Sequence, residues 1–355
     1  MAIRLNRPCV NSALGLFAAA ALLATSAAAQ EGFYKGKQIS LVVGYGTGGG
    51  YDVYARLVGK HISRFIPGNP TVVVQNMPGA GSLRAVNYIY NVAPKDGTAF
   101  AMFSSSMPVR PILGGNKNVQ FDSLKLTWLG SSSSFAGDAY LLAVRADAPS
   151  NTIDAVRRPD GSLLVIGSSG PGSSSYDIPA VLRDTIGLRY KMVSGYPGSA
   201  DLFLAMERNE THARMVNLTG LKAVRADWLK PGRPYKVLVQ FGRKTRIGDL
   251  PDVPTARELA LNASARDLIN LVEIPFELSR PFAAPPGVPA DRAKILQTAF
   301  REAHRDPQFV AEAKNLDLDI SPIGPDEVLD ALKSVEKADP QHLDYLRKLY
   351  AGAKD

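Results

Sequence analysis

The 355-residue chain contains one cysteine, Cys9. A disulfide scaffold and a cysteine-built metal site are therefore excluded. Histidine is scarce as well. His61, His212, His304 and His342 are the full set, and none has another His, Cys or Glu at metal-ligand spacing. No metal is expected. There is no G-x-S-x-G elbow and no G-K-S or G-K-T phosphate loop. No nucleophile–base pair and no carboxylate pair suited to acid–base work stand out, so an enzyme is not expected. No stretch reaches about 18 uninterrupted apolar residues, which argues against a membrane span. No block of five or six like charges occurs either. The formal charge of +8 is spread among 33 acidic residues, a pattern that fits a mildly basic solvated surface rather than a nucleic-acid site.

What is present points to an exported globular protein. The chain is 45% apolar, and its 31 Gly and 25 Pro carry no triplet period, so neither disorder nor collagen is in question. The length suggests about two domains. Arg4 and Arg7 precede an apolar run from Leu14 to Ala24, and Ala27, Ala28 and Ala29 follow it. A basic start, a short apolar run and small residues before a cut make a signal peptide, residues 1–29, with cleavage near Ala29. Cleavage would remove Cys9 and two arginines, taking +8 to about +6. The expected location is the periplasm, without a cytosolic supply of ATP or NAD(P)H. No cofactor is expected.

Strand-like and helix-like segments alternate. Gln38–Tyr45, Thr71–Gln75 and Thr98–Ser104 read as buried strands, with amphipathic helices at Tyr51–Ile66 and Ser82–Tyr90 between them. That order predicts a parallel sheet with right-handed crossovers. The pattern resumes with strands at 140–145, 163–167, 190–193, 213–217 and 237–241, and helices at 152–158, 178–186 and 200–208. Gly248, Pro251 and Pro254 then mark a seam. Helices follow at 291–305, 307–315 and 326–350, the last interrupted or kinked at Pro340. Leu316–Ile320 (LDLDI) reads as a short edge strand. His61, Arg84 and Arg110 read as surface residues.

The information is concentrated in loops that end strands and open helices. The first is GYGTGGGYD, Gly44 to Asp52, and the second is GSSGPGSSSYD, Gly167 to Asp177. Gly permits positive φ and close approach to the main chain, and a helix N-terminus offers unpaired N–H groups that favour an anion. Tight turns with Asp52 or Ser173 as N-cap would look similar; two such loops, one per half, favour ligand contact. NMPGAGS (Asn76 to Ser82, with Gly79) and SSSMP (Ser104 to Pro108, with Ser104 and Ser105) also end strands, so three loops of the first half converge on one rim. Gly44, Gly46 and Gly49 match G-x-G-x-x-G, but the next strand ends in Gln75-Asn76 with no carboxylate for a ribose. A dinucleotide is not expected.

LVVGYGTGGGYDVYARL, VVVQNMPGAGS, APKDGT, IGSSGPGSSS, LPDVPTARELA and PFAAPPGVPADRAKIL, in this order, resemble the solute-binding proteins of tripartite tricarboxylate transporters, the Bordetella uptake gene family. The resemblance runs from about Phe33 to the C-terminal helix. It implies an α/β, two-lobed periplasmic binding protein of the Venus-flytrap type II kind, each lobe a mainly parallel sheet flanked by helices. Lobe 1 would be 30–130 with 246–355, and lobe 2 would be 131–245. The implied function is to hold a small carboxylate (a di- or tricarboxylate, an amino acid or an aromatic acid) between the lobes and deliver it to a two-subunit membrane permease. A receptor feeding a sensor kinase has the same pocket, and an exported hydrolase is the remote alternative. A monomer is implied.

Carried over by position, the ligand-binding residues are Tyr45, Thr47, Gly48, Gly49, Tyr51 and Asp52 in the first loop. Ser168, Ser169, Ser173, Ser174 and Ser175 come from the second loop, and Gly198 and Asp201 from the GYPGSAD turn. Gly79, Ser104 and Ser105 are added from the rim. The sequence departs from the family pattern at several pocket positions. Tyr45-Gly46 replaces the usual Phe-Pro, Tyr51 stands where a small hydroxyl residue is usual, and Tyr176 stands nearest a customary His. A pocket lined by Tyr45, Tyr51 and Tyr176 would suit an aromatic or larger acid.

Overall fold

The computed structural model describes residues 32–351, apart from Gly49, 115–116, Ser169, 171–172, 197–198, Pro231 and Arg233. The expected signal peptide and the site candidates Gly49, Ser169 and Gly198 lie outside the described residues.

Among the described residues, ten strands form two five-stranded sheets. They are β1 (Gln38–Val43), β2 (Thr71–Asn76), β3 (Ala99–Met102), β4 (Thr127–Ser131), β5 (Tyr140–Arg145), β6 (Leu164–Ser168), β7 (Tyr190–Ser194), β8 (Ala213–Asn217), β9 (Tyr235–Phe241) and β10 (Pro281–Ala284). The helices used below are α1 (Gly50–Ile62), α2 (Leu83–Asn91), α3 (Arg110–Leu113), α4 (Ile153–Arg157), α5 (Ser174–Ile186), α6 (Ser199–Glu207), α7 (Leu218–Arg225), α8 (Ala263–Glu277), α9 (Ala290–Arg305), α10 (Pro307–Asn315), α11 (Pro325–Glu336) and α12 (Pro340–Ala351).

The first sheet has the order β2-β1-β3-β10-β4 and the second β7-β6-β8-β5-β9. In the first, β1 pairs in parallel with β2 and β3, while β10 runs antiparallel to β3 and β4. The second repeats this: β6 is parallel to β7 and β8, and β5 is antiparallel to β8 and β9. The two-lobed α/β architecture is therefore as the resemblance implies, but each sheet is mixed. In the first sheet the antiparallel pairs are made by β10 with β3 and β4, and β4 and β10 are two short strands without a strand signature in the sequence. In the second they are made by β5, the strand by which the chain enters that sheet.

Alternation along the strands explains the layers. Ile39, Leu41 and Val43 enter one core with Val58, Ile62, Phe100, Phe282 and Phe300. Val42 points the other way, to a second core with Val86, Ala101, Trp128 and Val328. Both faces of β1 are covered, which is why its sequence is nearly all apolar from Ile39 to Val43, with Ser40 the one polar residue there. The second sheet is likewise covered, with Leu142 and Ile166 on one face and Leu141 and Phe203 on the other.

Two connections link the sheets. Residues 132–139 join β4 to β5, and the segment after β9 leads to α8 and then β10. That segment stays with the second sheet beyond residue 245. The Gln240 and Thr185 backbones bond to residues 254–256 and to Leu261, and Arg157 Nη2 donates to the Leu259 carbonyl at 2.5 Å. Helix α8 then packs on α5 and also touches α11 and α12.

The connections are tied together by side chains. Arg243 Nη1 donates to the carbonyls of Phe135, Ala136 and Asp138 at 3.2, 2.7 and 2.8 Å. Glu273, fully buried, accepts from the Gly242 and Arg243 amides and pairs with Arg257. Residues 316–320 are not a strand. The Asp319 carboxylate accepts from the Ser133 and Ser321 hydroxyls and from the Gly137 amide, at 2.6, 2.9 and 3.2 Å. The LDLDI alternation therefore serves an Asp that caps the crossing turn. The last predicted helix is divided at Pro340, as its lack of an N–H requires.

Candidate functional site

The three strand-end loops of the first sheet are joined. The Ser82 hydroxyl donates to the Gly44 carbonyl at 3.3 Å and accepts from the Ser104 amide at 3.1 Å. The Tyr51 hydroxyl accepts from the Ser105 amide at 3.1 Å. At the end of β2, Asn76 Nδ2 donates to the Tyr45 carbonyl and to Asp52 Oδ1, both at 2.9 Å. Gly44 is required here: a Cβ on it would lie 2.4 Å from Ser82 Cβ and Oγ.

Within the first loop, Thr47 and Gly48 are exposed and Gly48 has φ +81°. The Gly48 amide donates to Asp52 Oδ2 at 2.8 Å, and Arg56 Nε donates to the same oxygen at 2.8 Å. Asp52 is 2% exposed. Burial alone would raise its carboxyl, but the bonds from Arg56, Gly48 and Asn76 prevail and hold it down at about 2. The structure thus places Asp52 beneath the loop as its staple, with both oxygens occupied. Tyr45 and Tyr51 stack, ring centroids 4.5 Å apart and planes at 21°. Gly79 lies against Arg84 at φ +145°, and Arg84 is exposed as expected. Arg110 is half-buried, and its Nε is buried without a hydrogen-bond partner, which departs from the surface reading.

In the second loop, Ser168 is fully buried. Its hydroxyl bonds to that of Ser194 at 3.0 Å and accepts from the Gly170 amide at 3.1 Å. Ser173 stands at the N-cap of α5 without capping it by its side chain. Its hydroxyl donates to the Gly170 carbonyl at 2.6 Å and pairs with that of Ser175 at 2.9 Å. These hydroxyls shape the turn. Ser174, half-buried at the first position of α5, shares a hydrogen bond with Tyr140. Asp201 is half-buried in the first turn of α6, apart from these contacts.

Tyr140 relates the two loops. It opens β5 in the second sheet, and Tyr51 and Arg280 of the first sheet lie near enough to its phenol to act on its ionisation. Burial raises its pKa, and the Ser174 bond opposes that. Arg280, just before β10, lies over the rings of Tyr51 and Tyr54, 4.8 Å from each centroid. Neither Tyr140 nor Arg280 was apparent as a site residue. The signal for Arg280 was its position immediately before the PFAA run, a four-residue strand too short to register by periodicity.

His61 is buried rather than exposed. Its Nε2 lies 2.8 Å from Glu312, because α10 packs over the end of α1. A cavity of about 1060 Å³ opens between residues 134–136, residues 242–245, α8 and α11. None of the expected site residues lines it; of the cations that do, Arg257 and Lys244 pair with Glu277 of the same cavity and Arg243 is bonded to the carbonyls of Phe135, Ala136 and Asp138. Among the described residues no group of three or more His, Cys, Asp or Glu is placed to hold a metal, and no helix is long and apolar enough to cross a membrane.

The family model described as "Tripartite tricarboxylate transporter family receptor" matches residues 55–328. A UPF0065 protein in the gbd 5'region of Cupriavidus necator is 27% identical over 305 residues, covering 85% of each chain. Among solved structures, a TctC solute binding protein from Polaromonas superposes with a TM-score of 0.66 at 20% identity, covering 89% of this chain and 99% of that one. MatC from Rhodopseudomonas palustris, with bound malate, superposes with a TM-score of 0.53 at 19% identity, covering 88% and 99%.

Proposed function

The chain belongs to the tripartite tricarboxylate transporter receptor family, a family of solute receptors rather than enzymes, and we propose that it holds a small carboxylate between its two sheets and hands it to a two-subunit membrane permease. The observation that carries this reading is the Tyr140 bridge. It is bonded to Ser174 at the head of α5 and lies within electrostatic reach of Tyr51, in the first turn of α1. This brings the starts of two helices, α1 and α5, to the same side chain, and a helix start favours an anion. A neighbour of the same fold holds malate.

On this reading the contacts come from Tyr45, Thr47, Gly48 and Tyr51 on one side and from Ser174 with the α5 amides on the other. Asp52, Ser168 and Ser173 hold the loops in shape. Lobe 1 is 30–130 with the C-terminal part, and lobe 2 begins at 131. The bonds from Gln240, Thr185 and Arg157 favour placing residues 246–262 with lobe 2 instead of with lobe 1. Closure is a hinge motion about 132–139 and the return segment, burying the anion among oriented donors. The protein is a periplasmic monomer released by cleavage near Ala29.

The test is a thermal-shift panel of citrate, C4–C6 diacids, aspartate and aromatic acids, with mass spectrometry of whatever co-purifies. A ligand that binds only the folded chain stabilises it by RT ln(1 + [L]/Kd) and so raises the melting temperature. If no carboxylate in the panel does so, the receptor reading fails.

A further inference from the structure

Arg280 is a half-buried cation with an incomplete set of partners. Its Nη1 donates to the Ser279 carbonyl at 2.8 Å and to the Ser279 hydroxyl at 2.9 Å. Its Nε is buried with no hydrogen-bond partner. Its Nη2 faces the first residue of α1, where a Cβ on Gly50 would lie 3.9 Å from it. Arg280 forms no ion pair among the described residues. The two carboxylates that act on the adjoining phenols are engaged elsewhere. Asp319 is held by Ser133, Ser321 and Gly137, and Asp138 accepts from Ala139, Thr219 and Asn217. Asp52 points into its own loop. A guanidinium without a counter-charge thus sits against the positive end of a 13-residue helix, an arrangement that an anion between them relieves.

The surroundings of this cation are rings whose hydroxyls already hold bonds within the chain. The Tyr51 hydroxyl accepts from the Ser105 amide, that of Tyr54 donates to the Asp319 carbonyl at 2.9 Å, and that of Tyr140 is bonded to Ser174. Tyr45 stacks on Tyr51 from the first sheet, and Tyr140 packs edge-on to Phe276 at 5.4 Å on the other side. An aliphatic diacid would need polar partners at both of its ends. Here one charged group is bracketed by aromatic surface, which suits a planar apolar body carrying a carboxylate.

Resting on the receptor reading, we propose that Arg280, with the N-terminal amides of α1, seats the ligand carboxylate, and that the carried acid is aromatic, its ring lying against Tyr51 and Tyr140. The experiment is calorimetric titration of the full mature chain with benzoate, phenylacetate, the uncharged isostere benzamide, malate and adipate, repeated on Arg280→Lys and Arg280→Met. Circular-dichroism melts verify that both variants fold. The expected result is binding of an aromatic acid, none of benzamide, and a loss of affinity of roughly tenfold or more in Arg280→Met, since charge-assisted bidentate bonds are removed. Arg280→Lys retains the charge but not the fork and falls between. Tight binding of malate or adipate with no aromatic acid bound overturns this inference and leaves the receptor reading standing. Aromatic binding unchanged in a folded Arg280→Met overturns the anchoring role. Should no carboxylate bind the parent protein, the receptor reading itself fails, and this inference with it.

Discussion

His304 Nε2 lies 2.7 Å from the Ser132 hydroxyl, in the first residue of the connection between the sheets. Its Nδ1 lies 2.7 Å from the Phe300 carbonyl, which can only accept, so Nδ1 carries the proton and Nε2 accepts from Ser132. The ring is buried and neutral, and burial lowers its pKa from 6.5 to about 4.

Acid should therefore weaken the fold through His304. Between these two pKa values the unfolded chain binds more protons than the native one, so stability is complete above about pH 6.5 and is lost as pH falls toward 4. The loss from this group is about 3 kcal/mol. Urea denaturation at pH 7, 5.5 and 4 should show it, and His304→Leu should flatten the slope over that window. An unchanged slope in the variant contradicts the assignment.

Gly44→Ala should destabilise the rim. The new Cβ meets Ser82 Cβ and Oγ at 2.4 Å, and Ser82 is held at φ 83° by the turn around it. The expected cost is about 1–3 kcal/mol, read as a lowered melting temperature together with weaker ligand binding. Gly46→Ala, where a Cβ meets nothing within 4 Å, is the control and should be near neutral.

Asp52→Ala removes the acceptor of the Gly48, Arg56 and Asn76 bonds. Leaving Asn76 and the Gly48 amide without it should cost about 1–3 kcal/mol and loosen the first loop, so affinity falls along with stability. The Asp52 contribution is present above pH 3.8 and disappears as pH falls toward 2. Ligand affinity in Asp52→Ala equal to that of the parent would mean that the loop does not depend on this staple.

Glu273→Ala leaves Arg257 and the Gly242 and Arg243 amides without their buried acceptor. A cost of about 3–5 kcal/mol is expected. Glu273→Gln, which keeps an acceptor oxygen for the amides, should lose less. Chemical denaturation of the two variants distinguishes them, and equal losses would point to the charge alone.

Much of this molecule was readable along the chain. The apolar run Gln38–Val43 and the helical offsets from Val53 to Ile62 are local signals, set by side-chain period and burial on one or both faces. The Gly-rich turns ending β1 and β6 were legible for the same reason, since a strand-to-helix turn advertises itself in glycine and serine. Asp52 and Ser168 were correctly placed in those turns, yet their side chains face inward, and chain order holds no record of which way a loop residue points.

Most of the strands and helices, the two Gly/Ser-rich turns and the family membership were determined by the sequence alone, because each rests on residues close together in the chain, while β4, β10 and α8 carried no such signal. The mixed pairing of both sheets, the burial of His61 and His304, and the meeting of Tyr51, Tyr140 and Arg280 were decided only by tertiary structure. Those three residues are separated by 89 and 140 positions, and contact over such spans depends on how β4 leaves the first sheet and β10 returns to it, which no local period encodes.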